Sequence, residues 1–316
     1  MDYSYKTFLA FLKGFILIAS YGYLGYVLYN YPHYAGMFSH LERAISAHLF
    51  WLLLVVLLLP INLLIETWKW KSIVSKSTSL GFRQAFSGVL AGFSSGFFTP
   101  NRVGELVGRV LFMPSAHRKI GVFYALLNSL TQNITLIVCG LPAFLAFVYV
   151  AHSPLEIPAF TSIIIFLLLF ITMLVVYFEL PRLIQYRYFS HKFPSLKPIS
   201  LYNSKHLLQI LLYSLFRFTV FSVQFYAALQ FFSVSLEPWQ ALIAIPVSYL
   251  FVTFTPAFAF SEIAIRGSYA VYFIGFFSVH TAEIILASFF LWVINFALPM
   301  LGGSILFVKS NGFENK

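Results

Sequence analysis

The chain has 316 residues, of which 60% are hydrophobic and only 9% charged, with a formal net charge of +10. So few charges cannot cover the surface of a soluble protein of this length, and apolar runs recur throughout, which describes a polytopic membrane protein. No polar block is long enough for a soluble domain, so a fused catalytic domain is not expected. The single cysteine, Cys139, excludes an intrachain disulfide, and the eight histidines lack ligand spacing, so no metal site is expected.

In chain order, the first apolar run covers residues 7–30. It is too long for a signal-peptide core, lacks a small-residue cleavage site, and reads as a membrane helix. Further runs lie at 49–68, 120–149, 159–180, 206–232 and 282–308. A crossing needs about 20 helical residues, and each of these six runs is long enough. Two other apolar pieces, 84–114 and 239–278, are each interrupted, at Thr99-Pro100 and at Thr255-Pro256. Their arms are too short to cross. The expected fold is therefore all-α, with six full spans plus two re-entrant broken hairpins.

Lysine and arginine placement orients such a chain. Lys6, Lys13, Lys69, Lys71, Lys76, Arg83, Arg118, Lys119, Arg182, Arg187, Lys192, Lys197, Lys205, Lys309 and Lys316 fall on one face, and Arg43 alone on the other. Both termini are expected on the cytoplasmic side of the membrane. The positive charge reflects this bias and attraction to anionic lipid. No basic domain stands outside the membrane, so the expected partners are anionic membrane lipids and not nucleic acid; a homodimer is left open.

Four basic residues remain, Arg102, Arg109, Arg217 and Arg266, all inside apolar segments. Charges at such depth are costly and serve a pathway, a partner or a ligand. Their setting repeats. "FTP" ending at Pro100 precedes Glu105 and Arg109, and "FTP" ending at Pro256 precedes Glu262 and Arg266. The two prolines are 156 positions apart, and the same offset carries the second apolar run onto the fifth and the third onto the sixth. Each half, 1–150 and 151–316 of a single membrane domain, reads span, span, broken hairpin, span. Three crossings per half turn the second copy upside down, an inverted-topology repeat whose broken helices meet near the midplane. The first hairpin then enters from the cytoplasm and the second from outside.

Threonine caps a helix start and proline suits its first position. A helix beginning at mid-membrane after Thr99-Pro100, with Asn101 at the apex and Arg102 in its first turn, directs free N–H groups inward and favours an anion such as phosphate. The candidate headgroup ligands are Arg102, Arg109, Arg217 and Arg266, supported by Thr99, Pro100, Asn101, Glu105, Thr255, Pro256, Ser261 and Glu262. A structural alternative stands beside this. Glu105–Arg109 and Glu262–Arg266 have the spacing of favourable helix pairs and can neutralise themselves for burial. Arg102 and Arg217 have no local carboxylate; Glu66 can reach one of them, and Glu262 or Glu283 can serve Arg217. Gly88, Gly92 and Gly96 share one helix face, read as tight helix packing ahead of a smooth wall for a lipid tail. Asn128, Gln132 and Asn133 form a polar stripe, read as interhelical glue.

"FFTP" with "NRVGELVGR", and "FTP…SEIAIR" half a chain later, resemble the lysylphosphatidylglycerol synthase transmembrane region, a flippase-like family of bacterial membrane proteins. "ETWKWKSIV" and "YSLFRF" are similar to it as well, and the resemblance covers essentially the whole chain. It implies movement of lipids, such as aminoacylated phosphatidylglycerol, between leaflets. The full synthases carry a soluble aminoacyl-transferase domain after the membrane part, and this chain, ending at Lys316, is expected to lack it. Where the family has glycines after the second proline, this chain has "AFAF", a departure in local loop geometry.

The chain shows no GxSxG, HExxH or intramembrane carboxylate pair and no Walker A loop, so neither catalysis, a cofactor nor direct ATP drive is expected. The leading expectation is a flippase-like protein that binds and translocates an anionic or phosphate-bearing lipid through an arginine-lined site at the midplane. The alternatives are a secondary transporter of a soluble anion and a non-catalytic membrane subunit of a lipid- or glycan-modifying system. The topology has a direct test. In a Cys139→Ser background, Ser190→Cys should resist an impermeant thiol reagent applied to intact cells, whereas cysteines placed within 31–48 should react; labelling at position 190 from outside overturns the orientation.

Overall fold

A computed structural model describes residues 34–97, 99, 102–151, 159–186, 191, 194–255 and 259–309. Apolar sequence in a lipid environment must satisfy its backbone polar groups internally, and helices do this within one segment. The described residues accordingly form helices and no strand: α1 (Tyr34–Val74), α2 (Phe82–Phe97), α3 (Gly104–Val110), α4 (Arg118–Val150), α5 (Ala159–Gln185), α6 (Ser204–Phe231), α7 (Pro238–Phe254), α8 (Ala259–Ile274), α9 (Thr281–Trp292), a π-helical turn (Val293–Ala297) and α10 (Leu298–Lys309). Helix α1 is kinked at His48, where φ is −132°.

Five stretches are long and apolar enough to cross a membrane: His48–Val74, Ser115–Val150, Leu167–Gln185, Ser204–Phe231 and Thr281–Leu306. They match five of the six runs read from the sequence. The run at 7–30, both termini, Pro100, Asn101 and Pro256 lie outside the described residues. The outer faces are oily. Leu57 on α1 is 61% exposed and Leu168 on α5 is 60% exposed, on helices whose exposed side is almost entirely aliphatic or aromatic. Such surfaces belong in hydrocarbon, and the chain is a multi-pass membrane protein.

The two interrupted pieces fold as antiparallel hairpins, α2 against α3 and α7 against α8. These helices have 16, 7, 17 and 16 residues, and none is among the five stretches long and apolar enough to cross by themselves. The first hairpin is closed by glycine. A Cβ on Gly88 would lie 3.0 Å from the Arg109 carbonyl oxygen, on Gly92 2.9 Å from Arg109 Cγ, and on Gly96 3.1 Å from Glu105 Cβ. From the other side, Gly104 and Gly108 rest on the backbone of Ser95 and Ala91, and the Ser95 hydroxyl bridges the carbonyls of Ala91 and Gly104, at 2.8 Å each. Helix α3 covers the Gly88–Gly92–Gly96 face, so that face serves packing and is not a wall for a lipid tail.

Around the hairpins, α1 packs along α6, α2 along α10 and α7 along α4. Two apolar clusters result. One gathers Trp70, Val89, Tyr124, Leu207 and Met300 around the first hairpin. The other gathers Val55, Phe147, Phe231, Ile245 and Phe273 around the second, at the opposite ends of α1, α4 and α6. The polar residues discussed next lie between them. Gly108→Ala drives a methyl into the backbone of α2, and overpacking of this kind costs about 1–3 kcal/mol; thermal unfolding in detergent should show a clear loss of stability. Gly302→Ala, whose Cβ meets no atom within 4 Å, is the control and should unfold like the wild type.

Candidate functional site

Helix periodicity places Asn62, Glu66 and Lys69 on one face of α1, three successive positions at spacings of four and three. All three are buried, with Glu66 and Lys69 fully so. Glu66 is the hub. Its Oε1 accepts from Arg109 Nη2 at 2.5 Å and from Asn128 Nδ2 at 2.9 Å, and its Oε2 lies 3.1 Å from Arg217 Nη1. Arg109, 1% exposed, also grips Glu105 one turn earlier on α3, with Nε at 3.2 Å, and stacks over Trp70. Arg217 donates to Asn62 Oδ1 at 2.9 Å and to Gln132 Oε1 at 3.4 Å. Lys69 Nζ donates to the Asn128 carbonyl at 2.9 Å.

Beside this network lies a cavity of about 440 Å3. The first break supplies Thr99, Arg102 and Glu105; the second supplies Thr255, Glu262 and Arg266. Helix α4 adds Ser129, Gln132 and Asn133, and α6 adds Arg217. Phe97, Phe221, Tyr249 and Phe296 form its aromatic walls. Both breaks therefore open into one chamber, although they are half a chain apart in sequence.

The local chemistry of the first break differs from the sequence expectation. Helix α3 starts at Gly104, so Arg102 precedes it instead of occupying its first turn. Arg102 adopts a φ of 59°, a left-handed conformation that costs a non-glycine residue free energy and persists only where neighbours enforce it. Thr99 does the enforcing. Its carbonyl accepts from Arg102 N at 3.1 Å, its hydroxyl donates to the Gly96 carbonyl at 3.0 Å, and the same oxygen accepts from Gly104 N at 2.7 Å. The turn aims Arg102 over the Phe296 ring, 4.5 Å from its centroid, with Phe93 at 5.2 Å. Arg266 lies over the same Phe296 ring at 4.4 Å. Phe296 belongs to the π-helical turn, an irregularity that re-aims side chains at functional sites. A single ring thus holds one guanidinium from each hairpin, through cation–π attraction. Arg266 is further held by Glu262, with Nε at 3.0 Å and Nη2 at 2.7 Å from Oε1, while Arg102 Nε is 3.8 Å from Glu105 Oε2.

Comparison with protein-family models, with curated proteins and with solved structures found no match for this chain.

Of the four arginines singled out from the sequence, Arg102, Arg217 and Arg266 line the cavity, and Arg109 is sealed behind it between Glu66 and Glu105. Arg217 meets Glu66; Glu262 goes to Arg266. Thr99, Glu105, Thr255 and Glu262 line the chamber. The Thr255 hydroxyl donates back to the Phe251 carbonyl at 2.7 Å and meets the Tyr269 hydroxyl at 2.9 Å. Ser261 lies on α8, and Pro100, Asn101 and Pro256 fall outside the described residues. Asn128 and Gln132, read as glue, do bridge helices, to Glu66 and to Arg217, and Gln132 and Asn133 also line the cavity. Lys69, counted with the cytoplasmic charges, is buried in the network. The face shared by Asn62, Glu66 and Lys69 is the signal that identifies it.

A second cavity, about 500 Å3 and almost wholly apolar, lies between α4, α6 and α7. Cys139, Val223, Ala241, Leu242 and Ile245 line it, and Phe218 forms a wall of both cavities.

Loss of one partner in a buried ion network costs about 3–5 kcal/mol, because the remaining charge is stranded. Glu66→Gln keeps the shape of the side chain and leaves Arg217 without its carboxylate. It should lower the unfolding temperature far more than Glu179→Gln, whose Arg182 partner is exposed. Equal effects of the two changes overturn the hub assignment.

Proposed function

We propose that this chain is a flippase-like membrane protein that binds an anionic or phosphate-bearing lipid and moves it between leaflets. The headgroup enters the chamber among Arg102, Arg217 and Arg266, and the hydrocarbon stays in the bilayer and in the adjoining groove. The observation that carries this reading is one cationic, aromatic-walled chamber fed by both broken hairpins. Guanidiniums are the groups best suited to phosphate oxygens, through paired, charge-assisted hydrogen bonds. Asn133, Gln132 and Ser129 add neutral partners.

An inverted-topology repeat accounts for the geometry. The membrane part of α1 begins at His48 and α6 begins at Ser204; α2 begins at Phe82 and α7 at Pro238. Both pairs share the 156-residue offset of the two prolines. The packing partners also exchange. The first hairpin lies on α10, and the second lies on α4, the equivalent helix of the other half. In this reading the hairpins are re-entrant from opposite faces and the chamber sits at the midplane, where transporters of this type bind their ligands. This reading is put forward together with the resemblance to the lysylphosphatidylglycerol synthase transmembrane region and with cytoplasmic termini in a bacterial inner membrane.

Transport of a soluble anion is the competing reading, since the chamber alone suits it. The apolar groove across Phe218 favours the lipid, because a soluble anion has no use for it. Ala241→Phe, which fills the groove, and the paired change Glu262→Gln with Arg266→Met, which removes both charges at similar volume, separate the parts. Apolar replacement of a buried pair is often neutral for folding. Native mass spectrometry of the purified protein should show copurified lipid in the wild type and its loss in both variants, with thermal stability retained. Full lipid retention by a well-folded double variant assigns Glu262 and Arg266 to structure; absence of bound lipid from the wild type favours the soluble anion.

A further inference from the structure

The charges around the chamber do not balance. Among the described residues, five cations, Lys69, Arg102, Arg109, Arg217 and Arg266, share three carboxylates, Glu66, Glu105 and Glu262. Every carboxylate is already engaged. Glu66 serves Arg109 and Arg217, Glu105 serves Arg109, and Glu262 serves Arg266. Arg102 has the distant oxygen of Glu105, and Lys69 donates to the neutral Asn128 carbonyl. By count of side chains the cluster holds two more basic groups than carboxylates, an arrangement that favours an anion beside it.

We propose that the headgroup is a phosphate monoester, a dianion, and not the phosphodiester of ordinary phospholipids; the inference rests on the lipid reading above. By that formal count a dianion balances the basic groups, whereas a diester leaves one of them without an anion. Oxygen count points the same way. A monoester presents three terminal oxygens, and three guanidiniums, from the first break, α6 and α8, face the chamber. A diester presents two, leaving one guanidinium without an anionic acceptor. The remaining ester oxygen carries the hydrocarbon, for which the apolar groove on the other side of Phe218 has room. Hydrogen phosphate in water has the same charge and the same oxygens, so the test carries it as a separate arm.

The full chain in detergent at pH 8, where a monoester with a second pKa near 6 is dianionic, is titrated with phosphatidic acid, with phosphatidylglycerol of the same acyl chains, and with inorganic phosphate. Phosphatidic acid should bind at least about tenfold tighter than phosphatidylglycerol, given one more charge at close range. Lys69→Met removes one cation from behind the chamber, and the preference should shrink towards parity. Arg102→Gln, at the partly exposed edge of the network, tests the same point where the buried change impairs folding. Equal binding of the two lipids, or tighter binding of phosphatidylglycerol, overturns the monoester and leaves the lipid reading standing. Inorganic phosphate binding as tightly as phosphatidic acid keeps the dianion and removes the lipid. No binding of any probe removes both.

Discussion

A carboxylate in hydrocarbon must be surrounded by donors, and Glu66 is the point on which this molecule depends for that reason. It lies on α1, and it holds Arg109 from the first hairpin and Arg217 from α6 at once. Those three elements come from both halves of the chain. Removing water strengthens each attraction and raises the penalty for losing it. One buried side chain therefore fixes the depth of the first hairpin, the register of α1 on α6 and the orientation of Arg217 toward the chamber.

Glycine makes the charged cluster reachable. Arg109 and Glu105 project from a seven-residue helix that has little stability of its own. They are positioned because Gly88, Gly92 and Gly96 let α3 lie directly on α2, and because Gly104 and Gly108 return the contact. The second hairpin achieves closure differently. Its contacts are aromatic, with Phe251 against Tyr269 and Phe273, and Ser248 reaching back to the Tyr269 carbonyl. The two breaks thus converge on one chamber by different packing chemistry. The ring of Phe296 links them from a third element.

The sequence and the structure agree where the physics is local. Apolar runs long enough to cross a membrane announce α1, α4, α5, α6 and α9–α10, and Thr-Pro announces where α2 and α7 end. Four isolated arginines in oily sequence pointed to the region of the chamber. The pairs within a helix, Glu105–Arg109 and Glu262–Arg266, were legible from their spacing; pairing between helices was not, because it depends on which helix faces which. Glu66 could reach Arg102 or Arg217 and in fact meets Arg217 and Arg109, and Gln132 and Asn133 read as ordinary interhelical contacts. Phe296 was invisible among 38 phenylalanines. Its role comes from a π turn and from two guanidiniums, neither of which leaves a mark in composition. Arg102 was placed in a helix because proline usually starts one; the left-handed turn follows from the Thr99 hydroxyl, a bond no propensity encodes.

The first hairpin leans on helix α10, where the Ser94 hydroxyl donates to the Met300 carbonyl at 2.6 Å across 206 residues, and Gly303 seats against Leu90. This contact sets an order for biogenesis. Ribosomes add about 5–20 residues per second, so roughly 10–40 s separate the emergence of Ser94 from that of Met300. During that interval α2 is covered by α3 and α1, but the side that will meet α10 has no protein partner. The nascent first half must wait in the membrane for the last helix of the second, and cutting the chain between its halves separates the first hairpin from its final support.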